Sequence, residues 1–250
     1  EDWRITRRDV TRHLIQGIPL GLQFSVLAIG IIVMQSVIVQ FDTLGGEMVS
    51  NAAQNGFGAA NKLNNLLMTP LNGLGTAMTS FTAQNLGAGD HARIKKGTVQ
   101  ALIIVWTMCL ISIAAGLLLS RGGGYLYIFL SPDKVTAETM RYGNTYLYVD
   151  LSLYLFLGFI FVVRNCVQGI GKPQFVLGAG AAELAARVSV CLLLPPLIAG
   201  GAVNSDAPRA AVYALCFADP FAWMAADAVL LVPFLRNIMK MDYRYLKGTM

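Results

Sequence analysis

Charge is distributed along this chain in a way that leaves few folds open. Runs of about 20 residues carry no charge or one, and short polar segments separate them. A helix needs a run of that length to cross a hydrocarbon core roughly 30 Å thick. Hydrophobic residues fill 55% of the 250 positions and charged residues only 13%, at a mean hydropathy of +0.57. A soluble surface would need charges interspersed along every element. A membrane β-barrel would need alternating segments of about ten residues, which the sequence lacks. Helices are left, because a helix satisfies its own backbone inside lipid. The pattern predicts an all-α integral membrane protein with six spans, at 14–40, 62–83, 98–119, 142–163, 174–198 and 210–235. Each is long enough to span with some tilt.

The charges that remain set an orientation. An even number of spans puts both ends on one side. That side carries twelve cations: Arg4, Arg7, Arg8, Arg12, Arg93, Lys95, Lys96, Lys172, Arg236, Lys240, Arg244 and Lys247. The opposite loops carry four, Arg121, Lys134, Arg141 and Arg209, while Lys62, Arg164 and Arg187 fall in or near spans. Positive charge is retained inside, so both termini of the segment are expected in the cytoplasm, with 241–250 as a cytoplasmic tail and 1–240 as one six-helix unit in the cell (inner) membrane. The sequence pI of about 9.1 therefore reflects topology, and no nucleic-acid partner is expected. The four cysteines lie in or beside apolar segments without a C-x-x-C pair, and His13 and His91 have no nearby second ligand. Neither a metal site nor a cofactor is expected. The charged start, with no initiator Met and no signal peptide, reads as a loop inside a longer protein.

Polar residues within the spans are the candidates for function. Asn61, Asn65, Thr69, Asn72, Thr76 and Thr79 recur at spacings of three and four, so they form one stripe on the second span. Such a stripe meets protein or water, as interhelical hydrogen-bond glue packed through Gly73 and Gly75 or as a cavity wall. Pro70 should bend that helix, and Lys62 should anchor it at the outer interface. On the first span, Gly17, Gly21 and Ser25 repeat every four residues as a small-residue packing face, Pro19 sits in the first turn, and Gln23 adds polarity. Glu183 and Arg187 lie four apart on the fifth span, within ion-pair reach. Glu183 lies nine residues beyond Gln174, about 14 Å into the membrane. Asp219 and Asp227 share a face of the sixth span, where Pro220 frees the carbonyl of Cys216. Asp150 lies in the fourth span, and Arg164 near its inner end can snorkel to headgroups. Intramembrane charges are functional candidates by default: Glu183, Asp219, Asp150 and Asp227 for ion coupling, Arg187 and Gln23 for the cavity wall.

Five motifs in order, GIPLGLQFS, FTAQNLGAGDHARIKKG, VQGIGKPQ, AAELAARVSV and ADPFAWMAADAVL, resemble the C-terminal six-helix half of the multidrug and toxic compound extrusion (MATE) family, over nearly the whole chain. The resemblance implies one lobe of a two-lobe, twelve-helix antiporter that exports drugs or small organic cations on a proton or sodium gradient. Its partners would be membrane lipid, the solute and a missing N-terminal lobe. Some family members carry carboxylates in the middle of the first and fourth helices of this lobe, where this chain has Leu27 and Leu157. Their cation site therefore does not transfer.

Two other readings share parts of this pattern. A lipid-linked oligosaccharide or polysaccharide flippase of the same superfamily would have the same architecture with a more basic cavity. An intramembrane protease would need a membrane-embedded histidine beside a serine nucleophile, and both histidines fall at cytoplasmic positions.

The orientation is open to direct labelling. Cysteines introduced as Ala88→Cys and Gly201→Cys, in a background without the native four, should react oppositely with an impermeant thiol reagent. Labelling of Ala88→Cys from outside intact cells would reverse the topology.

Overall fold

A computed structural model describes residues 5–240; Arg4, Arg244, Lys247 and the tail 241–250 lie outside them. The order is α1 (Arg7–Gln40), a hairpin of β1 (Thr43–Leu44) and β2 (Glu47–Met48), α2 (Ala52–Gly87), α3 (His91–Ser120), a short α4 (Leu126–Phe129), α5 (Ala137–Ser152), α6 (Tyr154–Gly169), α7 (Pro173–Ala199), α8 (Arg209–Cys216) and α9 (Ala218–Pro233). A π-helical turn, Phe234–Met239, follows α9. Four helical stretches are long and apolar enough to cross a membrane, and α5 with α6 makes a fifth if the bent pair is one span. α2, at 36 residues, has the length, but its polar stripe keeps it from reading as a lipid-facing span. The six expected segments are thus present as helices, one of them too polar to count by apolarity.

The helix ends show what local sequence did. Thr6 and Asp9 form a capping box, which starts α1 seven residues before the expected 14 and places Pro19 well inside it instead of in the first turn. α2 likewise begins ten residues early, because the Asp42 carboxylate accepts from Ala53 N (3.0 Å) and Gln54 N (2.9 Å). An anion at a helix N-terminus neutralises the free amides and the dipole together. Lys62 therefore lies ten residues inside α2 and not at its outer end. The Gly45–Gly46 turn lets the chain reverse before that cap, both residues holding positive φ as a tight hairpin requires. α2 runs unbroken through Pro70. It ends at Gly87; Asp90 then caps α3 by accepting from Arg93 N at 2.9 Å.

Two spans are broken. The fourth bends by 57° between α5 and α6. Ser152 donates to Val149 O (2.7 Å), a back-bond that bends helices, and Leu153 leaves helical geometry. α3 supports the backbone beyond the break, with Trp106 Nε1 donating to Leu155 O (3.2 Å) and Cys109 Sγ to Tyr154 O (3.4 Å). The sixth span breaks between Cys216 and Ala218, just ahead of Pro220, the place the proline's missing donor dictates.

The bundle closes through α7, which lies between α1 and α9, while α2 packs on α3, α5 and α6. α1 and α2 barely touch each other, so a groove opens between them. α2 fits its neighbours through glycines. A Cβ on Gly56 would stand 2.8 Å from Gly143 N, one on Gly75 2.8 Å from Phe161 O, and one on Gly169 of α6 2.7 Å from Thr79 O. Of the two glycines expected at this contact, Gly75 is tight and Gly73 stands open. The small-residue face of α1 is a correction: Gly17 and Gly21 have no atom within 4 Å of an added Cβ, whereas Gly30 lies against Arg187. Spacing marked the face, but neither glycine is in close contact with a neighbouring helix.

Gly56→Val should therefore destabilise the protein by about 1–3 kcal/mol through overpacking, while Gly73→Val leaves stability nearly unchanged. Melting temperatures of the two variants in one detergent check this. Equal losses would remove the glycine contact from the account.

Candidate functional site

The groove between α1 and α2 is a cavity of about 740 Å³. α1 contributes Leu20, Gln23, Phe24 and Leu27 onward, α2 contributes Gln54 to Ser80, and α5, α6, α7 and α9 close its floor. Asn61, Asn65, Asn72, Thr76 and Thr79 of the polar stripe line it, as do Gln23 and Arg187. Thr69 does not; its hydroxyl donates to its own helix at Asn65 O (3.0 Å), and Met68 takes that level of the wall. The stripe lines the groove and also makes hydrogen bonds within the protein. Asn65 Nδ2 donates to Asn61 Oδ1 (2.6 Å) along the wall, while Thr79 Oγ1 reaches across to Asn165 Oδ1 (2.8 Å) on α6.

The floor holds a connected charge network. Glu183 Oε2 accepts from Arg164 Nη2 at 2.7 Å and its Oε1 faces Arg187 Nη2 at 3.4 Å. Arg187 makes its shorter contacts with Asp219 Oδ1, 2.8 Å from Nε and 2.7 Å from Nη2. Tyr146 OH completes the network by donating to Asp219 Oδ2 at 2.8 Å. Glu183, Arg187 and Asp219 are all buried. Four elements thus meet through side chains: α6 by Arg164, α7 by Glu183 and Arg187, α9 by Asp219 and α5 by Tyr146.

This changes two sequence expectations. The i,i+4 pair of Glu183 and Arg187 exists, but it is the longest contact in the network; each group has a closer partner on another helix. Arg164 does not snorkel to headgroups, since its guanidinium turns inward to Glu183. The other carboxylates stand apart from the groove. Asp150 is fully buried behind the α2 wall, where its Oδ2 accepts from Asn64 Nδ2 (2.8 Å) and its Oδ1 has no partner. Asp227 is half-buried on α9, with Oδ1 buried and unpartnered. Neither lines the cavity. Sequence reasoning missed Tyr146, Asn64 and Asn165. Tyr146 had one available signal, its place one turn before Asp150 on the same helix face. Asn64 and Asn165 had none, because their partners lie 86 residues away.

Comparison with known proteins follows the same outline. A family model described as MatE matches residues 28–193. The protein named probable multidrug resistance protein YpnP, of Bacillus subtilis (strain 168), is 31% identical over 174 residues, which is 64% of this chain and 33% of that protein. A solved structure of a MOP superfamily transporter from Pyrococcus furiosus Vc1 (DSM3638), described as having a binding pocket of reverse polarity that suggests a different function, matches with a TM-score of 0.70. It covers 92% of this chain and 45% of that one at 14% identity, a likeness of fold alone. The chain thus spans between a third and a half of the length of these relatives. Since the family model covers well over half of its residues, the chain belongs to the MatE family.

Proposed function

We propose that this chain forms one lobe of a cation-coupled antiporter that exports drugs or other drug-sized organic solutes across the cell membrane. The groove between α1 and α2, floored by Arg164, Glu183, Arg187 and Asp219, carries the reading. It has the size of a small-molecule site, and its ionisable groups stand where solute and protein would meet. The name of the Bacillus subtilis relative supports multidrug export. The coupling ion is a proton or sodium, and the carboxylates that bear it are Glu183 and Asp219, with Asp150 and Asp227, outside the groove lining, as alternatives. Both ends of the segment face the cytoplasm on the charge asymmetry of the loops. The second face of the cavity comes from a further lobe, as expected of transporters built from repeats. A phosphate-linked glycan carrier is less well served, because Arg164 and Arg187 are matched by two carboxylates and leave no excess positive charge on the floor.

The mechanism follows from how the network is shared. Glu183 sits between two guanidinium groups on different helices. Binding a proton at Glu183 would weaken its hold on Arg164, which joins α6 to α7, without leaving an uncompensated charge on Arg187, whose main partner is Asp219. A small rearrangement between helices can thus be tied to the charge of one side chain. In a low-dielectric site that charge weighs heavily.

In the full-length polypeptide, Glu183→Gln should keep folding and insertion while cutting gradient-driven efflux, per folded molecule, by about tenfold or more. The assay is efflux of neutral and cationic fluorescent dyes from cells. Near-normal efflux would remove Glu183 from the coupling role. Arg187→Ala should instead cost stability, about 3–5 kcal/mol for breaking a buried pair, read as a lower melting temperature than that of Glu183→Gln. The opposite order would make the Glu183 contacts the structural ones.

A further inference from the structure

We infer that the solutes this groove is built to hold are uncharged, hydrogen-bonding amphiphiles, with amide or hydroxyl groups on one edge and an apolar body, and not organic cations. The inference rests on the transport reading of the groove and narrows its substrate class.

Charge balance is the first ground. Among the described residues, the charged side chains lining the groove are Arg164, Arg187, Glu183 and Asp219. Both carboxylates are already held by guanidinium groups at 2.7 Å. An organic cation would find no free carboxylate on this wall and would have to displace an arginine from a buried pair. Of the lining rings, Phe57 and Trp223 are each engaged with a neighbouring ring, while Phe24 is exposed. Phe57 is packed against Tyr146 with centroids 5.1 Å apart, and Trp223 is set edge-on against Tyr154 at 6.3 Å. Five aromatic side chains, Phe24, Phe57, Tyr146, Phe161 and Trp223, come from five different helices.

Amides are the second ground. Nine side chains in the lining are Asn or Gln, an unusual density for a chain with so apolar a composition. An amide carries both donors and acceptors, so it pairs with neutral polar groups of either kind. Two of these residues are left incomplete. Gln23 Oε1 and Asn64 Oδ1 are buried without a partner, in residues 3% and 5% exposed, and Arg164 Nε is a buried donor without one. Buried polar groups are normally satisfied. The exposed amides of Asn65 and Asn72 are the groups that a solute with N–H, O–H or carbonyl groups can pair with directly, whereas a quaternary or aromatic cation without N–H or O–H offers their carbonyl oxygens no donor. The remaining surface, from Leu20, Leu27, Ile31 and Met34 with the rings, takes the apolar body.

Binding to the full-length polypeptide in lipid nanodiscs, measured by equilibrium dialysis, tests this with two probes. Chloramphenicol is uncharged and carries an amide and hydroxyls; tetraphenylphosphonium is a permanent apolar cation. Chloramphenicol should bind about tenfold tighter or more. Asn65→Leu and Asn72→Leu, which alter groove-facing exposed residues and leave the melting temperature unchanged, should each weaken it by about fivefold to tenfold, as expected for one lost hydrogen bond. Tetraphenylphosphonium affinity should hardly move. Tighter binding of the cation, no effect of either substitution, or binding of neither probe would overturn the inference. Chloramphenicol bound as expected but not moved by a proton or sodium gradient in proteoliposomes would uphold the substrate class and defeat the transport reading. Gradient-driven movement of the cation alone would uphold transport and defeat the class.

Discussion

Burying ionised groups in a membrane bundle is costly unless each finds an opposite charge, and that requirement organises the floor of this protein. Arg164, Glu183, Arg187, Asp219 and Tyr146 lie on four helical elements and pair with one another at 2.7–3.4 Å. Removing one member strands a charge in low dielectric, so the contacts act as a positional constraint more than as a source of net stability. α6, α7, α9 and α5 can meet only where the four charges and the phenol meet. The groove is what remains when α1 leans on α7 and α2 packs on α5 and α6, with that floor between them.

The second organising element is α2, a helix too polar to face lipid on every side. Its glycines admit the backbones of α5 and α6 on one flank, so the flank with the amides is left for the groove. Close packing and polarity thus divide one helix between its packed flank and its groove-facing flank. The bend between α5 and α6 serves the same division. It lets one chain segment pack along α2 through both Gly143 and Asn165 while Tyr146 and Arg164 still reach the floor.

Much of this was legible in the sequence. Charge-free runs gave the helices, because lipid penalises charge and unpaired backbone on any sequence. Period-four spacing showed that Asn61, Asn65, Asn72, Thr76 and Thr79 share a face, because helix geometry fixes that relation locally. The proline at 220 showed for the same reason that the Cys216 carbonyl is freed, though the span was expected to be continuous and the structure breaks it there. Helix starts were misjudged where a cap lay outside the apolar run: Thr6 and Asp9 for α1, and Asp42, eleven residues ahead of the amide it caps, for α2. The break at Leu153 had no proline to mark it.

What only the tertiary structure decided is which partner each in-span charge takes. Local spacing offered Glu183 to Arg187, and that contact exists, yet Arg164 and Asp219 are the closer partners. Spacing also could not separate Thr69 from the rest of its stripe, or turn Gly17 and Gly21 toward a neighbour. Periodicity fixes the angle of a side chain about its own helix axis. It carries no information about which helix stands opposite, and here that depends on bends, glycine contacts, and hydrogen bonds and ion pairs between residues 19 to 86 positions apart.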